Sequence, residues 1–146
     1  MKTVLAREPK SRFTLLYGNR SLKSTMFKEE LEDLKNRYLT RLVLHMVFSQ
    51  EQMDSQLYSG RIGRDKLGEF LGTLVDPASV DHAFVCGPHG VNDEAEAALL
   101  AAGLAPERIH IERFGIPAGD VPVRVAVQEG DAPQAHIAIV RDGITR

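Results

Sequence analysis

FTLLYGNRSLKSTMFKEELEDLKNRYLTRLVLHMVF, residues 13–48, reads as strand, helix, strand, and that order decides the fold class. Phe13 to Tyr17 is a short apolar run halted at Gly18-Asn19, the pattern of a strand buried on both faces and stopped by turn residues. Beyond Ser24, the apolar residues Phe27, Leu31, Leu34 and Tyr38 recur at intervals of four, three and four, while Lys28, Glu29, Glu30, Glu32, Asp33 and Lys35 fill the other face. That is an amphipathic helix with a solvated acidic side. Leu42 to Phe48 is a second apolar run, so the two strands stand at the spacing of a parallel crossover.

The alternation continues downstream. Leu67, Phe70, Leu71 and Leu74 form a helical stripe closed by Asp76-Pro77, because proline disfavours helical geometry in the residue before it. His82 to Cys86 is a third strand ending at Gly87-Pro88. Asn92 is then placed to cap a helix that carries Asp93 and Glu94 in its first turn and ends at Gly103. Arg108 to Glu112 makes a fourth strand. Apolar strands alternating with amphipathic helices predict an α/β fold, an open parallel sheet with helices on both faces.

Both ends of the chain read differently. Lys2 to Glu8 resembles the last turns of a helix with no strand before it to cross over from, which implies that the first strand of the sheet is missing. Such a sheet is expected to close its two inner edges on each other, to fill the place with another segment such as Val121 to Val127 or His136 to Val140, or to associate through the edges. Residues 116–133 are rich in proline and glycine and read as an interdomain connection, although Val121, Val123, Val125 and Val127 alternate like an edge strand. His136 to Val140 reads as a strand running into Asp142-Gly143 with no room left for its hairpin partner.

Composition narrows the function. With 43% hydrophobic and 26% charged residues the chain has the make-up of a packed domain, large enough to be an enzyme. A formal net charge of -2 leaves no positive field to condense on phosphate backbones or anionic lipid, so nucleic acid is not an expected partner. The lone cysteine, Cys86, cannot form an internal disulfide, and Met1 precedes a mixed-charge stretch, which suits a cytoplasmic protein. No apolar run approaches the roughly 18 residues of a spanning helix, so no membrane is expected. His45, inside an apolar strand, suits a satisfied core or interface histidine, and His82, His89, His110 and His136 show no metal spacing with a second ligand. No metal site is expected.

Cys86-Gly87-Pro88-His89-Gly90 lies where a strand ends and a helix is about to begin, the position at which open α/β sheets bind ligands. Gly87 would let a ligand approach the backbone, and a helix start favours negative charge. A structural cysteine and a nucleotide-site cysteine both fit. A phosphatase-like nucleophile does not, since His89, Gly90, Val91 and Asn92 supply no anion-gripping arginine. Arg20, Arg61 and Arg64 are, taken singly, ordinary surface charges.

Taken in order, Tyr17-Gly18-Asn19-Arg20-Ser21 with Phe27-Lys28-Glu29-Glu30-Leu31, then Phe48-Ser49, Phe84-Val85-Cys86-Gly87-Pro88 and Ile111-Glu112-Arg113-Phe114 resemble the NAD(P)-binding domain of the ferredoxin–NADP reductase superfamily. The likeness runs from about residue 2 to 115 and is nearest to the reductase components of phenylacetyl-CoA epoxidases, in which a flavin domain, this domain and a 2Fe–2S ferredoxin domain follow one another. The tail from His136 resembles the start of that ferredoxin domain. The resemblance therefore implies residues 1–115 as a partial NAD(P)-binding domain, 116–135 as a linker and 136–146 as the start of a truncated ferredoxin-like domain.

The same resemblance implies roles. Cys86 would sit by the nicotinamide during hydride transfer, over a floor shaped by Gly87 and Pro88. Gly18, Asn19 and Arg20 would border the nucleotide, and Ser49 would contact the adenosine ribose or its 2′-phosphate. Arg61 and Arg64 would supply cations, and Phe114 would pack near the flavin. The implied cofactor is NADP(H), with FAD and a 2Fe–2S cluster in a full-length parent, and the implied partners are the missing flavin and ferredoxin domains and the oxygenase subunits of a multicomponent complex. The pyrophosphate-gripping loop would precede Lys2, so the chain alone is expected to bind nucleotide weakly. The implied function is electron transfer from NADPH through FAD to an iron–sulfur centre serving a ring-epoxidising oxygenase. The alternatives are a non-catalytic α/β nucleotide-binding module and an inactive truncated fragment.

Overall fold

Strand pairing begins where the apolar runs meet. In the computed structural model, which describes residues 1–114, 140–141 and 144–145, β1 (Phe13–Asn19) and β2 (Leu42–Phe48) lie parallel, from Phe13 opposite Leu42 to Asn19 opposite Phe48. Gly18 and Asn19 do not stop β1, because Val47 and Phe48 remain opposite them and keep their backbone in the ladder. Between these strands α2 (Lys28–Arg37) packs against β2 and buries Leu31. Ahead of β1, the short helix α1 (Lys2–Arg7) buries Leu5, and the Arg41 guanidinium donates to the carbonyls of Leu5 at 2.9 Å and Glu8 at 3.0 Å.

A second parallel pair is built in the same way. β3 (Ala83–Gly87) and β4 (Ile109–Arg113) run from Ala83 opposite Ile109 to Gly87 opposite Arg113. The crossover helix α4 (His89–Ala101) packs against both strands, with Ala95, Ala98 and Leu99 buried. α3 (Arg64–Thr73) lies against α4 and buries Phe70. The α/β class with short parallel sheets and helices is therefore as the sequence predicts.

Three expectations are corrected. Asn92 does not cap α4: the helix starts at His89 behind Pro88, whose φ of -56° already suits a helix entry, and the Asn92 N–H donates to the Pro88 carbonyl at 3.0 Å. Asp93 and Glu94 consequently fall beyond the first turn. Secondly, the inner edges do not close on each other, since β1 pairs with β2 and β3 with β4 but β1 does not pair with β3. Thirdly, burial on both faces fails for Phe13 to Tyr17, since Thr14 is exposed. In β3, Cys86 and Phe84 are exposed too, the latter keeping 74% of its surface. Residues alternate across a strand, so the side of β3 and β4 turned from α4 is left uncovered among the described residues.

The chain divides into two units, Met1–Gly115 and Ile116–Arg146. In the second, β5 (Val140–Arg141) pairs antiparallel with β6 (Ile144–Thr145). The hairpin partner for which the sequence left no room is thus present, because a hairpin around two residues sets its flanking residues opposite each other at once. The linker at 116–135, the strand at Val121 to Val127 and residues 136–139 lie outside the described residues. Among the described residues no helix is long and apolar enough to cross a membrane.

Candidate functional site

β1 ends at Gly18-Asn19, and the next residues are tied to the end of β2. The Ser49 N–H donates to the Asn19 carbonyl at 2.9 Å and the Gln50 N–H to the Arg20 carbonyl at 2.8 Å, so Arg20 and Ser49, both exposed, share one rim. A segment from Ser59 to Arg64 then runs beside this rim. Ser59 bridges to Phe48, the Gly60 N–H donates to the Phe48 carbonyl at 2.8 Å, and Ile62 lies on Gly18, where a Cβ would stand 3.0 Å from Ile62 Cδ1. A side chain at Gly18 would require the tip of Ile62 to give by a few tenths of an ångström, so the close approach favours glycine here.

The same segment reaches the start of α4. Glu94 Oε2 accepts from the Arg64 N–H at 3.2 Å, and a Cβ on Gly63 would meet that oxygen at 2.7 Å. Residues 62–64 therefore touch the carboxyl end of β1 on one side and the helix that follows β3 on the other. Arg61 and Arg64, in this segment, are both exposed. Cys86 is a free, exposed thiol, Gly87 has Val91 and Asn92 at 3.5 Å from where its Cβ would be, and Pro88 is the residue before α4.

Two buried polar atoms sit at these strand ends without a partner among the described residues. Asn19 Nδ2 is a donor at the end of β1, and Asn92 Oδ1 is an acceptor beneath Gly87. Asn92 is fully buried, and its Nδ2 donates to the Glu112 carbonyl at 3.3 Å. Arg113, at the end of β4, is held to α4 by Asp93 at 2.6 Å and Glu96 at 3.4 Å, and it precedes the exposed Phe114. The structure thus brings Gly18, Asn19, Arg20 and Ser49 together at the ends of β1 and β2, with the segment from Ser59 to Arg64 beside them, while Cys86, Gly87 and Pro88 stand at the end of β3 and Phe114 beyond β4. A negatively charged ligand suits the exposed guanidinium groups of Arg20, Arg61 and Arg64.

Two contacts at the site were not legible in the sequence, those of Ile62 and Glu94, because both are made across the fold. Phe27, exposed at the start of α2, adopts a left-handed φ of 57°, uncommon for a bulky residue. It follows a capping box between Ser21 and Ser24, which the Ser-x-x-Ser spacing could have disclosed.

Comparison with known proteins identifies the domain. The family model for the oxidoreductase NAD-binding domain matches residues 1–96. The chain belongs to that family. A curated relative, one of the subunits of 1,2-phenylacetyl-CoA epoxidase from Escherichia coli (strain K12), is 47% identical over 126 residues, covering 86% of this chain and 35% of the relative. The ferredoxin reductase component of 3-ketosteroid-9-alpha-monooxygenase from Rhodococcus rhodochrous is 32% identical over 135 residues, 88% of this chain and 35% of its own length. This NAD-binding domain chain therefore spans about a third of the curated relatives it matches. Among solved structures, the FAD/NAD-binding domain of nitric oxide dioxygenase from Vibrio cholerae is similar with a TM-score of 0.62 at 28% identity, covering 77% of this chain and 44% of that one. A flavohemoglobin from Malassezia yamatoensis gives a TM-score of 0.61 at 26% identity over 77% of this chain and 27% of its own.

Proposed function

We propose that this chain is the NADPH-binding part of a cytoplasmic flavin-dependent reductase that passes electrons through FAD to a 2Fe–2S centre serving a phenylacetyl-CoA-epoxidising oxygenase. Residues 1–115 would hold the nucleotide, 116–135 would link, and 136–146 would open a ferredoxin-like domain. The reading is supported chiefly by one observation: residues 62–64 touch Gly18 at the end of β1 and Glu94 of α4, in the chain segment that carries the cations at 61 and 64. The four thiolates of a 2Fe–2S cluster do not fit a chain with a single cysteine, so the cluster belongs to other residues.

The nucleotide itself would supply the hydride. The chain's residues would orient it: Gly87 and Pro88 shape the floor, Cys86 lines it, Gly18, Asn19 and Arg20 border the nucleotide, and Ser49 with Arg61 and Arg64 meets the ribose and its 2′-phosphate. Charge-assisted contacts of this kind contribute about 1.5 kcal/mol or more, roughly a tenfold preference for NADPH over NADH. Titration of both nucleotides into the chain, followed by amide chemical shifts, is expected to move residues 18–20, 49, 61–64 and 86–88. Arg61→Ala with Arg64→Ala is expected to abolish the preference. Shifts confined to other residues would remove the site, and an unchanged preference would remove the two arginines from it.

A further inference from the structure

His82 and His110 are 28 residues apart in sequence and meet on the exposed side of the second strand pair. His110 lies opposite Phe84 in the β3/β4 register, and His82 is the residue before β3, so both side chains join Phe84 on the side turned from α4. His82 Nδ1 and His110 Nε2 are 3.1 Å apart. Each imidazole is supported. The Arg108 guanidinium donates to the Asp81 carbonyl at 2.7 Å and to the Val80 carbonyl, fixing the backbone at His82, while the Phe84 ring stacks on His110 at 4.8 Å and 22°.

Two imidazole nitrogens bound to one metal at about 2.0–2.1 Å stand roughly 2.8–3.4 Å apart between square and tetrahedral geometry. The pair already has that spacing. We propose that His82 and His110 form a two-point site for a late first-row divalent cation such as Ni²⁺, Cu²⁺ or Zn²⁺. Imidazole selects these ions over Mg²⁺ and Ca²⁺, which favour oxygen. No group of three His, Cys, Asp or Glu side chains converges among the described residues, so water would complete the coordination. The site is separate from the nucleotide rim, since His82 to Cys86 spans about 13 Å of extended strand. A bound ion would replace the proton shared by the two rings and cross-link β3 to β4.

Calorimetric titration of the chain with Ni²⁺ in a non-chelating buffer tests the site. One saturable ion per chain is expected, together with a higher melting temperature. His82→Gln and His110→Gln should each weaken binding by about tenfold or more, because either change removes the chelate. The double variant should then be little weaker than either single one. Substoichiometric Cu²⁺ added to the unaltered chain should broaden amide signals centred on residues 82 and 110, a readout independent of any substitution. Single variants that bind like the parent, losses that add in the double variant, or broadening centred elsewhere would overturn the proposal.

Discussion

His45 shows how one half-buried side chain couples the core to pH. It lies on β2 with Nδ1 3.0 Å from the Tyr58 hydroxyl, and its ring centroid is 5.2 Å from that of the buried Phe70. Desolvation by these rings lowers its pKa below the usual 6.5, since burial disfavours the charged form. As pH falls, the unfolded chain takes up this proton before the folded one does. The His45 contribution to stability is therefore present above the unfolded value and is lost as pH falls through the lowered folded value. Urea denaturation between pH 5 and 8 should show stability falling on the acid side, and His45→Gln, which keeps a hydrogen-bonding group without the titration, should flatten that slope. An unchanged slope would mean that other groups carry it. The sequence already disclosed a satisfied histidine here, because a lone polar residue in an apolar strand requires a partner. That the partner is Tyr58 depends on a turn placed by the fold.

At the scale of the elements, α3 shows a cap supplied by another helix. Gly63 precedes α3 and has no side chain to offer, so the Glu94 carboxylate from α4 accepts from the Arg64 N–H and places negative charge at the positive end of the helix. Glu94→Ala should cost about 1 kcal/mol, the usual size of a lost cap. Gly63→Ala should push the carboxylate away from the same N–H, so the two substitutions together should cost less than their sum. Equilibrium denaturation of the four-member cycle checks this, and simple additivity would show that Glu94 does not cap α3. The elements themselves were legible because periods of two and 3.6 residues set apolar faces directly. Local capping rules misread Asn92 and Glu94 for a physical reason. Pro88 starts the helix earlier than Asn-Asp-Glu suggests, and a carboxylate serving a different helix leaves no local trace.

Over the whole first unit, the strand-end residues of the candidate site were legible as turns, whereas their gathering was not. Gly18 and Cys86-Gly87-Pro88 each mark a strand end, but the link from Gly18 to Glu94 of α4 passes through Ile62 and Gly63, whose neighbours are set by packing. The same unit carries a consequence for its behaviour in solution. β1 and β3 each pair on one side only among the described strands, and the side of β3 turned from α4 exposes Phe84. A strand edge with unpaired N–H and C=O groups is a template for another strand, and an apolar face beside it adds a hydrophobic drive. Pairing would also relieve backbone groups that cost about 1–3 kcal/mol each when buried unpaired, against a typical net stability of about 5–15 kcal/mol. The isolated chain should therefore self-associate as its concentration rises. Sedimentation velocity should show an increasing mean mass, with amide exchange at 13–19 and 83–87 slowing in step. Phe84→Lys, which sets a charge on the exposed face, should shift association to higher concentration without altering helix content. A concentration-independent monomer whose Ala83 to Gly87 amides are already protected would show that these edges are satisfied within one chain.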